Sequence, residues 1–266
     1  MRLAGALLLA TVVAGCAFLA PSAERAPEQT APYLATSVHV ERAVSDLGTC
    51  LAEGDVAGPY SDSAALESLR LGYVSAALTW GVRPEPADDL VVEAVGADAL
   101  AFIVHPSNQT GPLTRESLRR LFAGELSDWW AFGQSAGAVL PISREEGAGS
   151  RAVLEAEVMK GTGLSSGVAI AASDDAVLDY VASTPGAIGY VAASNLREGV
   201  RALTVEERRP EPQRVREGDY PLMVGVWLSY VPGGPGEDLA RCLAGPSGAR
   251  ALARWYGAPE LLVGPD

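Results

Sequence analysis

The residues best equipped for chemistry in this chain stand close together. Pro141, Ile142, Ser143 and Arg144 read as the end of a strand, Glu145 to Ser150 as a glycine-bearing turn, and Val153, Leu154 and Val158 as the start of a helical period. An arginine at a strand end, N–H groups on Gly147, Ala148 and Gly149, the Ser150 hydroxyl and the positive end of a helix dipole together meet the needs of an oxyanion. A surface turn with Ser150 as an ordinary N-cap fits the same letters, because serine is a favoured cap. So does a surface ion pair between Arg144 and Glu145, Glu146 or Glu155. His39 and His105 are lone histidines without metal-ligand spacing and are assigned to structure. No Ser/His/Asp motif, HExxH or nucleophile elbow is visible, which argues against an enzyme.

The elements that must position such a site alternate between strands and helices. Tyr33–Ser37 reads as a short strand, with Thr36 or Ser37 at the start of a helix through Val40, Ala43, Val44 and Leu47. After a short link, Pro59-Tyr60-Ser61-Asp62-Ser63 opens a second helix carrying Leu66, Leu69 and Leu71, and Tyr73 to Leu78 reads as a buried strand ending at Thr79 and Trp80. The run Ala99–Val104 is apolar without interruption, the pattern of a strand covered on both faces, as in a mostly parallel sheet. Thr114 and Ser173 cap helices, Ala187–Val191 and Leu222–Val231 are strands, and two amphipathic helices close the chain. Residues 206–219 read as a charged solvated loop. Trp80 and the Trp129–Trp130 pair read as packing residues. This alternation predicts an α/β fold.

The chain has 266 residues and a formal net charge of −13, from 20 Lys and Arg against 33 Asp and Glu. That length suits one or two domains, and the acidic balance argues against a nucleic-acid partner, which needs clustered cations. Arg2 followed by the apolar run Leu3–Val13 has the charge and length of a secretory leader. The run ends in Val13-Ala14-Gly15-Cys16, which resembles the lipobox of bacterial lipoproteins and implies lipidation of Cys16. Residues 17–32, rich in Ala, Pro, Ser and Glu, read as a tether. Export leaves Cys50 and Cys242 as a possible disulfide pair, with two separate buried thiols as the alternative.

Five separated motifs then carry a family resemblance. They are Phe102–Asn108; Leu113–Thr114 through Leu121–Glu125 to Asp128–Trp129; Arg144–Ser150; Pro185–Tyr190; and Gly218–Leu222. In this order they resemble the phosphate-binding proteins of bacterial ABC-type uptake systems, which have the type II periplasmic-binding-protein fold. The resemblance covers most of the chain from about residue 60 onwards. It implies two α/β lobes, 33–103 with 223–266 and 104–222, joined by crossover strands near 99–105 and 220–228, with the anion held between them. It further implies a monomer without cofactor, held at the bacterial cell membrane by its lipid and delivering inorganic phosphate or a similar oxyanion to a permease.

Residue by residue, Arg144 matches the family's phosphate-binding arginine, and Gly149 and Ser150 match two members of its Gly-Ser-Gly-Thr turn. Ala148 replaces that turn's serine. Thr36 or Ser37 matches the first hydroxyl loop and Ser61 or Ser63 the second. Thr79 precedes Trp80, which stands where the family often has an aspartate that accepts the phosphate's proton; Asp62 or Glu145 could supply that acceptor. A degenerate fold serving as an anion sensor or envelope interaction module is the alternative function. On this reading Arg144→Ala weakens anion binding without unfolding the protein.

Overall fold

In a computed structural model, residues 32–87, 89–133 and 137–262 are described. The leader, Cys16 and nearly all of the 17–32 tether lie outside them. The elements run β1 (Leu34–Ser37), α1 (Glu41–Ser45), β2 (Val56–Tyr60), α2 (Asp62–Arg70), β3 (Ala76–Gly81), β4 (Val91–Val104), α3 (Arg115–Phe122), β5 (Leu140–Arg144) and α4 (Gly149–Leu154). They continue as β6 (Ala169–Ala171), α5 (Asp174–Ser183), β7 (Ala187–Ala192), β8 (Arg201–Ala202), α6 (Pro212–Arg216), β9 (Met223–Tyr230), α7 (Pro235–Ala244) and α8 (Pro246–Leu252). Among the described residues, no helix is long and apolar enough to cross a membrane.

The strands follow one path, β2-β1-β3-β9-β4-β7-β5-β6, with β8 beside β4. Strand β4 organises it. Its first part, Val91–Ala99, pairs with β9, and its second part, Leu100–Val104, pairs with β7. The chain thus passes from one half of the sheet to the other within a single strand. It returns where Leu100 N–H donates to the Leu222 carbonyl, one residue before β9 begins. All three partners of β4, namely β7, β8 and β9, are antiparallel to it, whereas β1 runs parallel to β2 and β3, and β5 to β6 and β7. The expectation of a mostly parallel environment for Ala99–Val104 is therefore corrected. A continuous apolar run reports that both faces are covered, and strand direction leaves no mark on it.

Helices cover both halves. Helix α2 lays Ala65 and Leu69 on Ala35 and Ala77, and α5 lays Val177, Leu178 and Val181 on Ile103, Ile142 and Val191. The main core runs through both halves, from Leu34, Leu78 and Trp80 to Phe102, Phe122 and Tyr190. The last three rings meet with centroids 5.6–6.0 Å apart, tilted as aromatic quadrupoles prefer.

Several local expectations needed revision. Residues 56–60 form a strand, where a link and, at Pro59 and Tyr60, the opening of the second helix are expected, and 212–216 within the charged loop form a short helix. Neither Thr36 nor Ser37 caps α1, whose N-cap is Val40. The Cys50–Cys242 disulfide is formed and ties the segment after α1 to α7.

Candidate functional site

Arg144 ends β5 and is fully buried. Its strand end is fixed from behind by Tyr190, whose hydroxyl accepts from the Arg144 N–H at 3.1 Å and lies 2.5 Å from the Ser143 hydroxyl. The guanidinium forks onto both Glu145 carboxylate oxygens, at 2.9 and 3.0 Å, and donates to Asp174 at 2.6 Å. Its remaining edges meet the Ala171 and Ala172 carbonyls. The ion pair foreseen as the alternative role of Arg144 is thus present with Glu145, but the site is buried where a surface bridge was foreseen. Asp174, the first residue of α5, is held in place by the Ala192 N–H and the Asn195 amide.

The turn after Arg144 is where the other half of the sheet comes closest. Gly147 has φ +89°, a left-handed conformation that glycine adopts without strain, and a Cβ there would lie 2.2 Å from the Ser63 hydroxyl. A Cβ on Gly149 would lie 2.0 Å from the Trp80 carbonyl. Both glycines are therefore required by contact, and Gly147 by its backbone angle as well. Across this contact the Ser63 N–H donates to the Gly147 carbonyl at 3.0 Å.

One carboxylate spans the seam. Asp62, the first residue of α2, receives the Trp80 N–H on Oδ1 at 2.8 Å and the Gly149 N–H on Oδ2 at 2.7 Å. His39 Nδ1 lies 2.7 Å from the same Oδ2. The other nitrogen, Nε2, faces the Ser150 hydroxyl at 3.0 Å, Arg144 Nη1 at 3.1 Å and Asp174 Oδ1 at 3.4 Å. His39 is stacked on Trp80, with ring centroids 5.1 Å apart, and the indole N–H is anchored on Asp98 at 2.8 Å. Burial alone would discharge the imidazole, but the Asp62 and Asp174 carboxylates override it and hold the pKa at about 10. Burial likewise opposes charge on Asp62 and Asp174. The imidazolium beside them outweighs it, and both carboxyls lie below the usual range. Asp98, which has no such cation, is pushed up to about 6 by burial, its hydrogen bonds notwithstanding.

The structure thus brings Arg144, Gly147, Ala148, Gly149 and Ser150 against Asp62, Ser63 and His39. Ser150 is in the first turn of α4, not its cap; the N-cap is Ala148, whose N–H is spent on the Glu145 carbonyl. Ser61 caps α2 and lies 3.4 Å from the Ser63 hydroxyl. Thr36, Ser37 and Thr79 are buried in β1 and β3, and the Ser37 and Thr79 hydroxyls have no hydrogen-bond partner among the described residues. Of the two acceptors foreseen in place of the missing aspartate, Asp62 is the one that crosses the seam. His39 and Asp174 were not singled out from sequence as site residues. No spacing could have found them, because their partners come from separate elements.

A two-part α/β sheet whose halves meet over an arginine turn and a helix start is the architecture of periplasmic-binding-protein-like folds. Residues 74–259 match the family model of a PBP superfamily domain, and the chain belongs to that superfamily. It is 29% identical over 137 residues to the phosphate-binding protein PstS of Bacillus subtilis (strain 168), a stretch covering 51% of this chain and 45% of that protein. The chain therefore aligns with about half the length of this curated relative. Among solved structures, it superposes with a TM-score of 0.74 and 19% identity on a candidate phosphate ABC transporter substrate-binding protein with bound phosphate from Clostridium perfringens, covering 86% of this chain and 99% of the other. An ABC-type phosphate transport receptor from Vibrio cholerae gives 0.71 at 19% identity, covering 85% and 99%. At such identities these likenesses speak for the fold.

Proposed function

We propose that this chain is an extracytoplasmic solute-binding protein that captures a tetrahedral oxyanion, inorganic phosphate above all, and delivers it to an ABC permease. The two halves of the sheet are then its lobes, 33–103 with 223–266 and 104–222, and Cys16 carries the lipid that holds a monomer at the cell membrane. One observation carries the reading. Where the halves meet, a carboxylate already rests on the Gly149 N–H and the His39 imidazolium, and that imidazolium shares Asp174 with the Arg144 guanidinium. Donors arranged to hold one oxyanion in a buried seam suit another. The partnerless Ser37 and Thr79 hydroxyls beneath the start of α2 add donors that a four-oxygen ion can use and a carboxylate does not. The kinship with a protein called phosphate-binding points the same way. Capture is reversible and mechanical, and no bond is made or broken.

The test is calorimetric titration of the full-length chain with phosphate, arsenate, sulfate and molybdate at several pH values. Saturable phosphate binding with rejection of sulfate is the expected result. Absence of a saturable response to every ion would overturn the reading. That outcome would favour the second one, a sensor or envelope interaction module. Trp80 at the family's aspartate position and the hydroxyl missing at Ala148 speak for that alternative.

A further inference from the structure

The structure assigns Asp62 a role beyond that reading, although it rests on it: Asp62 is a tethered anion that fills the oxyanion seat of the unliganded molecule, and a free oxyanion enters by displacing it. The argument begins with how the carboxylate is bonded. Its two oxygens take two backbone N–H groups and an imidazole nitrogen, from three different segments, at 2.7–2.8 Å. Two of those donors, on Trp80 and His39, belong to the half that carries Asp62. The third, on Gly149, belongs to the opposite half, so the side chain bonds the halves as a captured ion would.

A carboxylate at the first position of a helix has no need of such partners. The helix end of α2 is already served by the Ser61 hydroxyl, which accepts from the Ala64 N–H. Asp62 instead turns away from its own helix into the seam, where its side chain is only 7% exposed. Its neighbours Ser61 and Ser63 are half-buried and exposed, so the start of α2 itself stands at the surface. The Gly149 contact is equally specific, since a Cβ on Gly149 would come within 2.9 Å of the Asp62 carboxyl carbon.

What Asp62 would leave behind stays built. His39 remains stacked on Trp80, and that indole remains anchored on Asp98. Arg144 stays fixed by Tyr190 and Asp174. The Ser37 and Thr79 hydroxyls stand on neighbouring strands, one register step beyond the Thr36–Leu78 pair, and Thr79 directly precedes the Trp80 N–H. A tethered competitor lowers apparent affinity by the fraction of molecules whose seat it occupies. It also holds the halves together without ligand.

The experiment compares the full-length wild-type chain with Asp62→Ala and Asp62→Asn, using phosphate titration and the radius of gyration from X-ray scattering with and without phosphate. Asp62→Asn keeps the shape and one acceptor oxygen, and circular dichroism confirms that each variant is folded. The expected result is phosphate binding at least about tenfold tighter in Asp62→Ala, with Asp62→Asn between it and wild type. Unliganded Asp62→Ala should be more expanded than wild type and contract when phosphate is added. Equal or weaker binding by both folded variants overturns it while leaving phosphate capture standing. If no form binds any oxyanion, the capture reading and this proposal fall together.

Discussion

Two arginines in this molecule have almost the same partners and opposite surroundings. Arg144 forks onto Glu145 and reaches Asp174; Arg119 forks onto Glu116 and reaches Glu125. The first guanidinium is sealed from solvent within the seam between the halves of the sheet, and the second lies on the surface of α3. The same charge pairing is nearly worthless in one place and indispensable in the other, because water screens the surface pair and is absent from the buried one. A buried pair need not add much stability in total. Its significance is that neither partner can be removed alone.

The largest effect that sharpens this contrast comes from Arg144→Ala. It strands Asp174 without its guanidinium in a desolvated site, and a loss of about 3–5 kcal/mol in denaturant unfolding is expected. This revises the expectation that the substitution would leave the fold untouched. Loss of phosphate binding in this variant is informative only if measured below its unfolding transition. A shift smaller than about 1 kcal/mol would mean that water reaches the seam.

An intermediate effect concerns pH. His39 titrates near 10 in the fold against 6.5 when free. Its folded pKa is raised, so the stability it brings is complete below about pH 6.5 and drains away as pH climbs through about 10. The unfolding free energy should therefore fall between pH 7 and pH 10. In His39→Gln that slope should flatten, and an unchanged slope would place the titration elsewhere. The smallest effect belongs to Arg119→Ala, whose melting midpoint should match wild type within error at both low and high salt. A clear loss there would break the comparison.

Much of this arrangement was legible in local letters. Thr114 and Ser173 are N-caps as their spacing indicates, because capping depends on a hydroxyl and the next three residues. The arginine turn was visible for the same reason. Strand β2 escaped notice because Val56–Tyr60 contains Gly58 and Pro59; it lies at the sheet edge, where a missing N–H is tolerated. The first part of β4 was hidden by Glu93 and Gly96, which dilute its apolar pattern. His39 was read as structural because its partners Asp62, Ser150 and Asp174 start or belong to different helices, and only the folded sheet brings them within reach. The charge state of a buried imidazole is a property of that assembly and has no local signature.

The bond between Cys50 and Cys242 joins positions 192 residues apart and so closes most of the chain into one ring. Everything that carries the arginine turn, from β4 through β9, lies between the two cysteines along the chain and so within that covalent ring. A cut in an exposed loop such as the one at Glu206 and Glu207 would linearise the ring without releasing a fragment. After such a cut the two covalent pieces are parted only by a reductant that opens the Cys50–Cys242 bond.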